Sequence, residues 1–263
     1  MTVVEQVLLR ERAIVAAGLA ALVLLSWSYI WQGAGMGMSA LDMTSMSLFP
    51  HRQKDMTGEM DTTWPVVAAM WWVMMIAMMT PSAAPLVLLY GRVLRHHAAA
   101  GANAGVPSLF VAAGYLSVWL VFSAGAASLQ EALQDAGSIS GMMLWSKSAA
   151  LSAAVLAAAG AYQFSPLKQA CLAQCRSPVQ FLTRYWQPGR GGAFLMGVRH
   201  GAFCVGCCWL LMALLFVGGV MNLLWIAALT VIVLVEKLFP AGDRAGKVLG
   251  FVLLAWAAAT LLI

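Results

Sequence analysis

The chain has 263 residues, of which 62% are hydrophobic and 10% charged, and it carries a net charge of +5. Water-soluble domains are about one quarter charged, so this composition excludes a solvent-exposed globule. No basic, aromatic-interleaved surface points to nucleic acid. Apolar stretches of roughly 20 residues are long enough to cross a bilayer, and a bilayer core forces each crossing segment to satisfy its own backbone. The pattern predicts an all-α, polytopic membrane helix bundle of about seven transmembrane helices, forming one membrane domain over residues 1–263.

The first span is expected from Ile14 to Trp31. Its apolar run is longer than a secretory signal core, and it ends in Trp27, Tyr29 and Trp31, aromatics suited to a membrane interface. It therefore reads as a retained anchor. The loop from Gln32 to Thr63 holds Met36, Met38, Met43, Met46, Met56 and Met60. Two readings stand side by side: weak, exchangeable capture of copper, or contact with lipid or a partner. Span two, Trp64 to Tyr90, carries Met70, Met74, Met75, Met78 and Met79 ahead of Pro81, which is expected to kink the helix. Methionine is common packing filler, yet Met74, Met78 and Met79 would also form a thioether wall that brings no charge into the bilayer.

Span three covers Pro107 to Ser128, and the short, Ala-rich span four Lys147 to Tyr162. The loop from Phe164 to Gly192 is interrupted by Pro166, Pro178 and Pro188 and predicts one short amphipathic helix over about Leu167 to Gln174. Cys171 and Cys175 lie one turn apart there, as a copper-exchange pair or as helix packing. Two thiols are incomplete for structural zinc, which takes four ligands. Span five, Ala193 to Val217, places His200, Cys204, Cys208 and Met212 at intervals of four, with Cys207 beside them. Imidazole and thiol donors inside an apolar helix suit a soft ion, Cu(I) first. The compact set is His200, Cys204, Cys207 and Cys208, with Met212 as an exit ligand. Spans six and seven follow at Met221 to Leu238 and Lys247 to Ile263.

The basic residues orient the chain. Arg10, Arg12, Arg92, Arg95, Lys168, Arg176, Arg184, Arg190, Lys237, Arg244 and Lys247 share one side, against Arg52, Lys54 and Lys147 on the other. The asymmetry predicts the N terminus inside and the C terminus outside. Near the membrane edge, Glu236 is expected to pair with Arg199, Lys237 to snorkel to the interface, and Asn222 to cap span six.

The stretch Trp71 to Ser82 resembles a motif of the predicted metal-binding integral membrane proteins, a bacterial family labelled copper-chaperone-like. Tyr162 to Pro178, Arg199 to Met212, Gly218 to Asn222 and Glu236 to Pro240 are similar to the same family, and the match runs from about Trp64 to Gly250. The resemblance implies that Cys171, Cys175, His200, Cys204, Cys207, Cys208, Met212, Met221, Asn222 and Glu236 belong to a shared pattern.

The leading expectation from the residues is copper handling, as Cu(I), in an inner membrane, which the resemblance implies to be bacterial. The chain would deliver copper to or from a membrane or periplasmic cuproprotein, in contact with the lipid bilayer. A membrane thiol oxidoreductase built on Cys204, Cys207 and Cys208 is the first alternative, and an accessory or assembly subunit of a larger membrane complex the second. With no phosphate-binding glycine loop and no Ser-His-Asp arrangement, binding and transfer of a metal are favoured over catalysis.

Overall fold

A computed structural model describes residues 3–34, 41, 44, 63–97, 105–139 and 146–262. Of the methionine-rich loop it therefore includes only Gln32 to Ala34, Leu41, Thr44 and Thr63; Met36, Met38, Met43, Met46, Met56 and Met60 lie outside the described residues. Among the described residues the secondary structure is helical, apart from turns and one isolated bridge between Ile139 and Ser146.

Helix α1 (Val3–Trp31) ends where Gly33 and Ala34 take positive φ values of 87° and 51°, a reversal that lets Gly33 N–H and Ala34 N–H close onto Ile30 and Tyr29 carbonyls. Helices α2 (Trp64–His97) and α3 (Gly105–Asp135) are fastened to each other by three indoles of α2. Trp64 Nε1 donates to Ser128 Oγ (3.0 Å), Trp71 Nε1 to Gln130 Oε1 (2.8 Å) and Trp72 Nε1 to the Leu116 carbonyl (3.1 Å). Pro81 and Pro85 both lie inside α2, which continues past them to His97.

Helix α4 (Ala149–Tyr162) turns by 64° into α5 (Pro166–Arg176). Ser165 caps α5 and Pro166 occupies its first turn, where a missing N–H costs nothing. A second short helix, α6 (Pro178–Tyr185), follows. The segment expected to hold one amphipathic helix thus holds two, because Ser177-Pro178 restarts the helix. Helix α7 (Gly189–Ala213) runs almost directly into the one-turn α8 (Leu215–Gly218). Asn222 caps α9 (Leu223–Leu238), its Oδ1 accepting from Trp225 N–H at 3.2 Å, and α10 (Gly242–Leu262) completes the chain.

Among the described residues, five segments are long and apolar enough to cross a membrane: Arg12–Trp31, Trp64–Arg95, Gly105–Asp135, Gly189–Gly218 and Gly242–Leu262. The bent α4–α5 pair raises the number to six if it counts as one crossing. The other expected spans are shorter: α4 has 14 residues and α9 has 16. At about 1.5 Å per residue, α9 extends ~24 Å, less than the ~30 Å hydrocarbon core. Both α5 and α9 end against the middle of α7.

Helices α3 and α7 approach closely because glycines face backbone. A Cβ at Gly197 would collide with the Val111 carbonyl, and one at Gly114 with the Phe194 carbonyl; at Gly201 it would meet Val118 Cβ at 2.9 Å. Small residues at apolar helix interfaces allow this approach. Gly125, on the same α3, faces open space. A Gly197→Leu variant should lose about 1–3 kcal/mol or more through overpacking, read as a lower unfolding midpoint in detergent. Gly125→Ala should hold the midpoint or raise it slightly.

Candidate metal centre

The buried face of α7 reads Ala193, Met196, Gly197, His200, Gly201, Cys204, Cys207, Cys208, Leu211 and Met212. Steps of three and four are the helical repeat, so the same stripe that packs the helix also lines up its soft donors. Cys204 sits near the middle of the Gly189–Gly218 segment, ~22 Å from Gly189 at about 1.5 Å per residue. Glycine contacts hold α3 against this face, and they bring Tyr115 to Cys204: the phenol oxygen lies 3.0 Å from Cys204 Sγ and 3.1 Å from the Met79 carbonyl, and its one proton can serve only one of the two at a time.

Helix α5 supplies the second set of sulfurs. Cys175 packs against the cluster that holds the α7 thiols, and Cys171 Sγ occupies the space beside Gly206 that a Cβ there would need. Tyr162, at the bend before α5, donates to the Gly206 carbonyl at 2.5 Å. Arg176, directly after Cys175, fastens the other end of α5. Its Nη2 donates to the Phe239 (2.6 Å) and Pro240 (3.3 Å) carbonyls past the end of α9, and its Nη1 pairs with Asp243. The turn between α9 and α10 thereby fixes how closely Cys175 approaches α7.

Two charged residues differ from the sequence expectation. Glu236 does not pair with Arg199; it accepts from Lys168 Nζ on both oxygens, at 3.0 and 2.8 Å. Arg199 instead lies over the Tyr185 ring, 5.6 Å from its centroid. Lys237 does not snorkel outward. Only 5% exposed, it donates to Cys204 Sγ at 2.8 Å. The early end of α9 leaves its last turn against the thiols, where the ammonium finds a sulfur acceptor. Lys168 and Lys237 are then two buried cations beside one buried carboxylate, Glu236. A buried ammonium requires an anionic or strongly accepting partner. The charge balance favours a thiolate at Cys204, towards which Tyr115 can direct its single proton.

The remaining predicted donors are placed less closely. His200 is 3% exposed, with its ring against Phe181 (5.1 Å) and Tyr115 (5.8 Å), and its Nδ1 has no hydrogen-bond partner. Met212 is buried two turns beyond Cys204, about 12 Å along the helix at 1.5 Å per residue. Met74, Met78 and Met79 are wholly buried in the same core cluster as the three α7 thiols. Their link to Cys204 runs through Tyr115 and the Met79 backbone. Pro81 adjoins Thr80, whose buried Oγ1 lacks a partner, and Ser82, which donates to the Met79 carbonyl at 2.8 Å. Asn222 also donates to the Gly218 carbonyl, at 3.1 Å.

Among the described residues no group of three or more His, Cys, Asp or Glu side chains has the geometry of a formed metal site. The cause is local. Cys207 and Cys208 both donate their thiols to the Cys204 carbonyl, at 3.1 and 2.9 Å, the back-bonding to which a helical thiol is prone. Rotation about χ1 would release both sulfurs.

A family model described as copper chaperone, PpoB2, matches residues 68–260. The chain belongs to that copper-chaperone family. No curated protein and no solved structure matches the chain. The matched region contains every element from α3 to α9, and hence all five cysteines, both buried lysines and Tyr115. Thiol and thioether sulfur are the donors that select Cu(I) over harder ions, so the chemistry of the cluster agrees with the copper handling of the family.

Sequence reasoning assigned no site role to Lys237, Lys168 or Tyr115. One signal existed: Lys168 and Lys237 flank segments apolar enough to make any charge costly. Replacing Glu236 by Gln strands Lys168 and should destabilise the protein by about 3–5 kcal/mol. The double variant Lys168→Met/Glu236→Leu should recover most of that loss, measured as unfolding midpoints in detergent.

Proposed function

We propose that this chain is a multi-pass protein of the bacterial inner membrane that binds copper as Cu(I) and passes it to or from a membrane or periplasmic cuproprotein. One observation carries the reading: Cys175 packs against the core cluster that holds Cys204, Cys207 and Cys208, beside the buried Lys237. Two thiolates suffice for linear Cu(I) coordination, and an exchangeable ion is served better by several adjacent sulfurs than by one rigid cage. The thioethers of Met74, Met78 and Met79 extend the soft lining without adding charge.

The topology that accompanies this reading has the N terminus inside, with α4–α5 and α9 as the two crossings that stop short in the lipid and finish through turns. The exposed apolar faces of α1 and α10, with Leu24, Leu25, Val248 and Phe251 turned outward, meet lipid or the recipient protein. The soft-donor core serves as the station between an inside-facing and an outside-facing exchange.

A second reading has its own observation. The Lys237 ammonium and the Tyr115 hydroxyl both contact Cys204 Sγ, which would equally suit a reactive thiolate in a membrane thiol oxidoreductase. Elemental analysis of anaerobically purified protein separates the two. Under the copper reading the native protein holds copper in stoichiometric amount, Cys204→Ser/Cys208→Ser loses it, and retention falls as pH drops because protons compete for the thiolates. A metal-free native protein with a reversibly titrating disulfide would establish the redox reading instead.

A further inference from the structure

Within the apolar segment Gly189–Gly218, Arg199 lacks the carboxylate expected for it. Its Cα lies ~15 Å along α7 from Gly189, at about 1.5 Å per residue. Leu195, one turn nearer the start of α7 on the same face, is 40% exposed, so the surface leading to Arg199 is apolar. Glu236 is taken by Lys168 and Asp243 by Arg176. Glu131 and Asp135 lie at the far end of α3, which passes Gly197 at Val111. What Arg199 meets is the Tyr185 ring, 5.6 Å from its centroid, and the same ring holds the Arg184 guanidinium at 5.5 Å. Among the described residues neither arginine has an ion pair. A guanidinium in apolar surroundings requires an anion, and here two of them gather at one ring without one.

On the next flank of α6 lies a cavity of ≈ 410 Å³. Leu89 and Val93 of α2 form one wall, and Val179, Leu182, Thr183 and Trp186 form the other. The Thr183 hydroxyl already donates to the Gln180 carbonyl (2.9 Å), so the lining asks for no polar ligand. Trp186 stacks on Tyr90, with ring centroids 5.2 Å apart, and is an aromatic of the kind that marks headgroup level. Thr183 and Trp186 are the chain neighbours of Arg184 and Tyr185. The apolar cavity and the cationic ring thus share the C-terminal end of α6.

We propose that this end of α6 binds one anionic phospholipid of the inside-facing leaflet, with its phosphodiester at Arg199 and Arg184 and one acyl chain in the cavity between α2 and α6. The inference goes beyond copper handling and rests only on the membrane placement in that reading. Charge and setting select the occupant. A zwitterionic lipid brings its own cation to two guanidiniums, whereas phosphatidylglycerol brings none. A soluble anion has no use for the cavity and must cross apolar surface to reach Arg199. A lipid phosphate is already beside that surface, and a long arginine side chain extends towards it. Occupancy has a structural consequence as well. Phe181 of α6 packs on His200, with ring centroids 5.1 Å apart, so a lipid that ties α6 to α7 steadies the ring covering that imidazole.

The test takes the full chain, purified in neutral detergent and stripped of lipid, and titrates it with dioleoyl phosphatidylglycerol or dioleoyl phosphatidylcholine. Bound lipid is counted by native mass spectrometry. The native protein should retain one phosphatidylglycerol at least tenfold more tightly than phosphatidylcholine. Arg184→Gln and Arg199→Gln should each weaken phosphatidylglycerol by about fivefold, the effect of one basic residue beside an anionic lipid. Val93→Trp, which narrows the cavity, should weaken it as well, whereas Arg244→Gln, an exposed site on α10, should leave it unchanged. Arg184 is exposed, so its variant decides the matter even where Arg199→Gln does not fold.

Equal retention of the two lipids overturns the proposal, and so does native affinity in Arg184→Gln or in Val93→Trp. Displacement of the lipid by excess inorganic phosphate also overturns it, because the arginines would then form a plain anion site. A native chain that stays in solution without detergent removes the membrane placement itself.

Discussion

An ammonium group removed from water must find an anion or a strong acceptor, and in this molecule two of them do so within one small region. Lys168 meets Glu236 through both carboxylate oxygens, and Lys237 meets Cys204 Sγ. The residues involved come from α5, α7 and α9, so satisfying the two charges also sets how these helices approach. The last turn of a helix is a favourable place for a cation, and Lys237 takes that place on α9 while still reaching a sulfur. The turn beyond it is covered by Arg176, whose donors satisfy the Phe239 and Pro240 carbonyls. The polar groups of the broken segment are thus met from within the protein.

Against this polar knot stands a close-packed apolar frame. Glycines on α3 and α7 let the two backbones touch, and the indoles of α2 fasten it to α3. The frame carries Tyr115 to Cys204 and buries the methionines of α2 in the same core. A rigid pair of helices on one side and two interrupted helices on the other is a division of labour known from membrane transporters, where discontinuous helices border the substrate site. Here the thiols of Cys207 and Cys208 rest on the Cys204 carbonyl.

Part of the arrangement of these side chains can be read from the chain alone. His200, Cys204, Cys207 and Cys208 share a buried stripe because a 3.6-residue repeat puts them there in any helix. Cys171 and Cys175 were visible as a pair, but their nearness to the α7 thiols was not, since a proline-rich segment gives no sign of where it docks. Lys237 was placed at the membrane edge on the general cost of burying a cation. That cost was offset by a thiol distant in sequence, which no local pattern encodes. The pairing of Glu236 failed for a similar reason. Arg199 and Lys168 both lay on the same side of the predicted membrane, and only the bend between α4 and α5 brings Lys168 within reach.

Helical class, apolar spans and the soft character of the donors follow from composition and periodicity, because burial in lipid and the turn of a helix act on neighbours along the chain. The depth at which α9 stops, the partner of each buried charge and the meeting of α5 with α7 arise differently. They depend on how separated segments share a limited set of anions, sulfurs and hydrogen-bond acceptors, and that competition is resolved only once the helices are packed together.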